Sequence, residues 1–93
     1  MNRGAVEFRT TRTFDKSFLT LPAGIRQRAL EKLDLYENDP RHPSLRVKKM
    51  VGTPDIWEMS VTKDYRITFQ RDGNVVLLRN IGTHDILKHA QRQ

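Results

Sequence analysis

The stretch IWEMSVTKDYRITFQRDGNVVLLRNIGTHDIL, residues 56–87, decides the fold. In it Trp57, Met59 and Val61 alternate with Glu58, Ser60 and Thr62, and Tyr65, Ile67 and Phe69 alternate with Arg66, Thr68 and Gln70. A hydropathy period of two belongs to half-buried strands, because successive side chains leave a strand on opposite faces. Thr62-Lys63-Asp64 and Arg71-Asp72-Gly73-Asn74 have turn chemistry, so the strands they separate are expected to form an antiparallel meander. Val75–Ile81 is a nearly continuous apolar run and reads as a central strand, which Gly82-Thr83 ends. Thr83 or Asp85 can cap a short last helix, His84–His89.

Upstream of this stretch, Leu45 and Val47 alternate with Arg46 and Lys48, which predicts one more strand. Before that the period lengthens. Phe14, Phe18 and Leu21 recur at helical spacing. Pro22 suits the first turn of a second helix, along which Ile25, Ala29, Leu33 and Tyr36 make one stripe, with Leu30 beside it and Gln27, Glu31 and Asp34 opposite. Asn38-Asp39-Pro40 stops that helix, since proline disfavours helical geometry in the residue before it. Val6–Thr10 is β-prone. The expected domain is α+β, in the order β-α-α-β-β-β-β-α. Two N-terminal helices and a short C-terminal helix pack on one face of a mainly antiparallel sheet, and residues 1–93 form a single domain.

The predicted core joins Trp57, Met59, Val61, Tyr65, Ile67 and Phe69 to Ile25, Ala29 and Leu33. The other sheet face then carries Glu58, Ser60, Thr62, Arg66, Thr68 and Gln70, joined by Arg46 and Lys48. Such a face is either solvated surface or a binding groove, and alternation alone does not separate the two.

Composition narrows the chemistry. Seventeen Lys and Arg stand against eleven Asp and Glu, a net charge of +6, and the sequence pI is near 10.2. That balance points to nucleic acid or an acidic protein as partner. No cysteine is present, so disulfides, thiolate-bound metals and a cysteine nucleophile are excluded. Histidine and carboxylate spacings give no metal site, Asp72-Gly73-Asn74 is a turn and not a calcium loop, and no glycine-rich phosphate loop occurs. No apolar run approaches the roughly 20 residues needed to span a bilayer. MNRGAVEFRTTRTF lacks the apolar segment of a secretory signal. The expected compartment is the cytoplasm.

Several residues are candidates for chemistry. The run from Arg41 to Lys49 holds Arg41, Arg46, Lys48 and Lys49 with no acid until Asp55; it suits phosphate binding, or an edge strand guarded by lysines. Arg66 alternates outward from an aromatic strand and is placed either to clamp a phosphate at two points or to pair across the strands with Glu58. Arg79, in the apolar strand, has an unresolved face but can reach the same patch. His84 follows the last strand and is either a general acid or base or a solvent-facing helix start. His42 and His89 offer no such placement. Trp57 reads as core, with base stacking as the alternative.

Taken together, IWEMSVTKDYRITFQRDGNVVLLRNIGTHDILKH resembles the C-terminal half of toxins of the RelE/ParE superfamily, and FDKSFLTLPAGIRQRALEKLDLYENDP resembles their helical hairpin, so the likeness covers about Thr13 to His89. The IGTHDIL ending is most similar to the YafQ-like branch, whose GTH histidine is catalytic. The resemblance implies a RelE-like fold and a catalytic set of His84, Arg66, Asp64 and Lys48. Asp64 falls where the YafQ-like branch has an acid before an aromatic, Arg66 matches the strand arginine of the RelE and YoeB branches, and Lys48 with Lys49 resembles the RelE lysine pair. Arg46, Lys49, Arg79 and Arg41 would bind RNA phosphates. Two departures stand out: Ser60 occupies the place of a second histidine in the YafQ-like branch, and the C-terminal tyrosine of the RelE branch is missing.

The implied function is the toxin of a type II toxin–antitoxin system, a ribosome-dependent endoribonuclease that cleaves messenger RNA and needs neither cofactor nor metal. Its implied partners are a cognate antitoxin, messenger RNA and ribosomal RNA, with operator DNA reached only through the antitoxin complex and no membrane. The alternatives are a ParE-like inhibitor of DNA gyrase and a catalytically degenerate member that only binds an antitoxin.

Overall fold

A computed structural model describes residues 6–92, with side chains for 6–88. The chain runs β1 (Glu7–Thr10), α1 (Arg12–Thr20), α2 (Ala23–Asn38), a 3-10 turn (Pro43–Leu45), β2 (Lys48–Lys49), β3 (Trp57–Ser60), β4 (Tyr65–Asp72), β5 (Val75–Thr83) and a C-terminal 3-10 segment (His84–Arg92). The five strands form one sheet in the order β1-β5-β4-β3-β2. β1 pairs with β5 in parallel, and the other pairings are antiparallel.

Local chemistry explains the helix boundaries. Thr11 is extended and caps α1: its hydroxyl oxygen accepts the Phe14 N–H at 3.0 Å while its O–H donates to the Arg79 carbonyl at 2.6 Å. One side chain thus starts the helix and fastens it to β5. α2 follows Pro22 directly and ends at Asn38, before Asp39-Pro40. Both helices pack on one sheet face. Tyr36 from α2 meets Phe69 of β4 edge-on at 5.6 Å and Phe8 of β1 at 6.2 Å.

The strand registers set two cross-strand rows on that inner face, Trp57–Phe69–Leu78 and Met59–Ile67–Ile81. Met59, Val61, Ile67, Phe69 and Ala29 are buried as expected, while Trp57, Tyr65, Ile25 and Leu33 are half-buried against them. The core also takes Phe14, Leu21, Tyr36, Leu45, Val76, Leu78 and Ile81. Val76 and Ile81 can share a face only because the register shifts between Thr68 and Phe69: Thr68 opposes Asn80, Phe69 opposes Leu78, and Arg79 is the extra residue. A bulge of this kind reverses the alternation beyond it. It accounts for the continuous apolar run, which one uninterrupted strand would have split between two faces.

Three expectations are corrected. The strand expected over Leu45–Lys48 is confined to β2 at Lys48–Lys49, and Leu45–Val47 is not part of it. Pro43–Leu45 is a 3-10 turn capped by His42, whose Nδ1 accepts the Ser44 N–H at 3.1 Å, and Arg46 is left-handed at φ 50°. Leu45 is nonetheless fully buried, so the alternation gave the facing of the side chains and not the backbone. Next, β5 does not stop at Ile81: Gly82-Thr83 are its last two residues, paired opposite Arg66 and Tyr65. Finally, the last element is 3-10 and not an α-helix, and it does not lie on the face of α1 and α2. Gly82 occupies the outer row Ser60–Arg66–Gly82, and a Cβ built on it would lie 2.8 Å from Ile86 Cγ2. Ile86 therefore rests on the outer face, against the bare backbone that glycine leaves.

Candidate active site on the outer sheet face

The outer face carries the rows Lys48–Glu58–Thr68–Asn80 and Ser60–Arg66–Gly82. It is not an ordinary solvated face: Glu58, Ser60, Thr68 and Asn80 are all buried. A groove of about 400 Å³ opens on it, lined by Arg46, Val47, Lys48, Glu58, Ser60, Arg66 and His84. Across the shared residues Arg46, Ser60 and Arg66 it continues into a second cleft of about 340 Å³, which adds Arg28 and Lys32 from α2 and Lys63 from the β3–β4 turn. The two form one trough whose charged lining is six cations, Arg28, Lys32, Arg46, Lys48, Lys63 and Arg66, against the single carboxylate of Glu58.

Arg66 lies at its centre with its guanidinium held on one edge. Nη1 donates to the carbonyls of Thr62 at 2.7 Å, Lys63 at 3.1 Å and Tyr65 at 3.0 Å, and Nε stands 3.8 Å from Glu58 Oε1. Both side chains are shielded, at 13% and 9% exposure, so removing one partner leaves the other charge poorly solvated. None of these contacts uses Nη2. The cross-strand pair and the clamp are thus not exclusive: the pair fixes the guanidinium that a phosphate would meet.

The other candidates divide. Lys48 stands opposite Glu58 and lines the groove, and His84 reaches it from just beyond β5. Arg46 lines both halves of the trough. It also lines a separate cavity beside Arg41 and Arg71, which places Arg41 on the flank of the trough. Lys49 stands opposite Trp57 and is exposed outside the groove. Asp64 is exposed in the β3–β4 turn, where its N–H donates to Thr62 Oγ1 at 3.3 Å, and it lines neither half of the trough. Arg79 is turned elsewhere by the bulge: Nη1 donates to Gln70 Oε1 at 2.6 Å, and Gln70 Nε2 donates in turn to Asp55 Oδ2 at 2.8 Å. Trp57 is on the inner face under the Arg71 guanidinium, 3.9 Å from the ring centre, where it packs against the core.

Sequence reasoning missed Arg28, Lys32, Lys63 and, as a lining residue in its own right, Glu58. The i, i+4 spacing of Arg28 and Lys32 was the available sign that they share a helix face. Among the described residues no group of three His, Cys, Asp or Glu is placed to hold a metal ion, and no helix is long and apolar enough to cross a membrane.

Comparison with known proteins places this architecture. No protein-family model matches the sequence, and no curated protein matches it significantly. Solved structures do match. The archaeal RelE–RelB complex from Pyrococcus horikoshii OT3 aligns at TM-score 0.69 and 22% identity over 84% of this chain and 93% of that one. The intact E. coli RelBE toxin–antitoxin complex aligns at 0.66 and 23% over 85% and 96%. The E. coli DinJ–YafQ toxin–antitoxin complex aligns at 0.71 and 13% over 88% and 96%. The class defined by this sheet and helical hairpin is the fold of small toxins from toxin–antitoxin complexes. More narrowly, the chain has the fold of the RelE/ParE superfamily, which the sequence resemblance implied.

Proposed function

We propose that this protein is the toxin of a type II toxin–antitoxin pair and that it cleaves messenger RNA on the ribosome without a metal. The observation that carries the reading is the groove itself, where His84, Arg66, Lys48 and Arg46 converge on one face of the sheet. An RNA strand contains its own nucleophile, the 2′-hydroxyl next to each phosphate. Cleavage then needs a positioned strand, charge stabilisation and proton transfer. Arg66, pre-oriented by three carbonyls and Glu58, stabilises the pentacovalent phosphorane together with Lys48, and His84 moves a proton. Arg46 and Lys49, with Arg41 on the flank, bind neighbouring phosphates and ribosomal RNA. Arg79 and Asp64 take lesser parts, since Arg79 is engaged with Gln70 and Asp64 stands outside the trough.

The net charge of +6 and the trough of cations suit an antitoxin with an acidic or amphipathic segment that covers this face in the cytoplasm, with any operator contact made through that complex. Such an association weakens as salt is added. Addition of the purified protein to a coupled translation reaction tests the reading. A nuclease stops translation and leaves cut messages. Continued translation with intact messages, and loss of gyrase supercoiling instead, overturns it.

A further inference from the structure

A second cluster of cations lies beside the trough, and the cleavage described above gives it no step. The segment from Pro40 to Val47 faces Arg71 of β4 across a cavity of about 390 Å³, above the roughly 300 Å³ at which small-molecule sites begin. Its charged lining is Arg41, Arg46 and Arg71, with His42 beside them and no carboxylate. Four cations elsewhere have acid partners, Arg9 with Glu7, Arg28 with Glu31, Arg66 with Glu58 and Lys88 with Asp85. Among the described residues, none of the three cavity arginines has one. Like charges gathered without a counter-ion oppose the compact state, so the cluster is complete only with an anion.

The fold orders these groups in advance. The Arg71 guanidinium lies 3.9 Å from the centre of the Trp57 ring, and its Nη1 donates to the Tyr36 hydroxyl at 3.5 Å. Arg46 is set by its left-handed backbone at φ 50°. Arg41 and His42 stand between Pro40 and Pro43, whose rings fix the chain at each end. His42 accepts the Ser44 N–H through Nδ1, so its neutral ring carries the proton on Nε2 and keeps one donor. Groups ordered before a ligand arrives lose less on binding it. Charge then selects the ligand. A nucleic-acid phosphodiester brings a single charge to three guanidinium groups. A terminal phosphate brings about −1.5 to −2; joined to an inner phosphate with one charge more, it balances all three, and guanidinium groups take phosphate oxygens two at a time.

We propose that this cavity binds the diphosphate group of a small anion, either inorganic pyrophosphate or a nucleoside diphosphate, and that the bound anion weakens the hold of the trough on RNA. Arg46 makes the connection, because it lines the cavity and both halves of the trough. One guanidinium cannot serve anions on both sides at once. An anion in the cavity therefore draws Arg46 from the trough, and RNA in the trough weakens the anion by the same factor. Arg71 lines neither half of the trough, so it belongs to the anion alone. The binding stands without the nuclease function proposed above; only its effect on RNA rests on that reading.

The test is calorimetric titration of the purified protein with inorganic pyrophosphate, ADP and orthophosphate, in buffer without divalent metal. Pyrophosphate is expected to bind one to one. Arg71→Ala lowers its affinity about tenfold or more, the loss of one charge-assisted contact, whereas Lys16→Ala, which removes a cation that lines none of these cavities, leaves it unchanged. If Arg71→Ala does not fold without its stack on Trp57, Arg41→Ala in the exposed loop gives the same loss. Tighter binding of ADP than of pyrophosphate identifies the nucleoside source, and equal or weaker binding the inorganic one. The second measurement is the anisotropy of a short labelled single-stranded RNA: saturating pyrophosphate weakens RNA binding about fivefold or more in wild type and has no effect in Arg71→Ala, whose RNA affinity without the anion is that of wild type. Equal pyrophosphate binding by wild type, Arg71→Ala and Arg41→Ala, or orthophosphate binding as tight as pyrophosphate, overturns the proposal. So does undiminished competition with RNA in Arg71→Ala, which puts the anion in the trough. Wild-type protein that binds pyrophosphate but leaves translated messages whole overturns the nuclease reading instead, so the two failures are distinct.

Discussion

Replacing Gly82 with alanine places a methyl group 2.8 Å from Ile86 Cγ2. Ordinary van der Waals contact between such carbons lies at roughly 3.5–4.0 Å, so Ile86 must retreat by about 0.7–1.2 Å or β5 must yield. Overpacking of this kind costs about 1–3 kcal/mol, and the lower entropy of alanine in the unfolded chain returns about 0.4–1 kcal/mol. The net loss is about 1–2 kcal/mol, which in a chain of this size lowers the melting temperature by roughly 5–15 °C. The functional loss is larger. Ile86 is two residues from His84 in the same 3-10 segment, and a misplacement of about 1 Å can cost 10²-fold in rate. Thermal unfolding and message cleavage measure the two effects, and adding Ile86→Ala, which removes Cγ2, is expected to recover most of the activity. A Gly82→Ala protein with wild-type melting and wild-type cleavage would refute the packing of the C-terminal segment on the outer face.

Arg66→Ala strands the shielded Glu58 carboxylate and is expected to lose about 3 kcal/mol in urea unfolding. Arg66→Lys recovers part of that stability and little cleavage, because lysine keeps the charge and loses the two-point geometry. Thr11→Ala removes the α1 cap and the tie to the Arg79 carbonyl, an expected loss of about 1–2 kcal/mol by the same assay with cleavage unchanged at low temperature. Arg46→Gly suits the left-handed backbone at φ 50°, so stability is kept while affinity for single-stranded RNA falls and its salt slope shallows by about one phosphate contact, about 0.7 in log–log units; an unchanged slope removes Arg46 from the RNA interface.

The inner face was legible because hydropathy alternation and helical spacing report directly on which side chains are buried. Met59, Ile67, Phe69 and Ala29 follow from that alone. What sequence did not reveal turns on single backbone events. One extra residue in β5 sends Arg79 to Gln70 and away from Arg66, and no residue type marks that bulge. A left-handed Arg46 turns a chain that alternates like a strand into a corner that brings Arg46 and Lys48 to the groove. The glycine of IGTHD reads as a strand end in sequence, yet its role is to admit Ile86. Of the residues lining the candidate groove, Arg46, Lys48, Arg66 and His84 could be singled out from sequence by their charge and chemistry. Glu58 was visible only as a counter-ion for Arg66, since its place in the groove depends on the register of β2, β3 and β4 together.

The central claim is that the outer-face groove cuts RNA with His84 moving a proton. Primer extension on a message undergoing translation tests it most directly, comparing wild type with His84→Ala, both shown by circular dichroism to be folded. Discrete cuts within the translated region, slowed on the order of 10²–10⁴-fold in His84→Ala, are the predicted result. Wild-type cutting by His84→Ala, or arrested growth with every message intact, contradicts it.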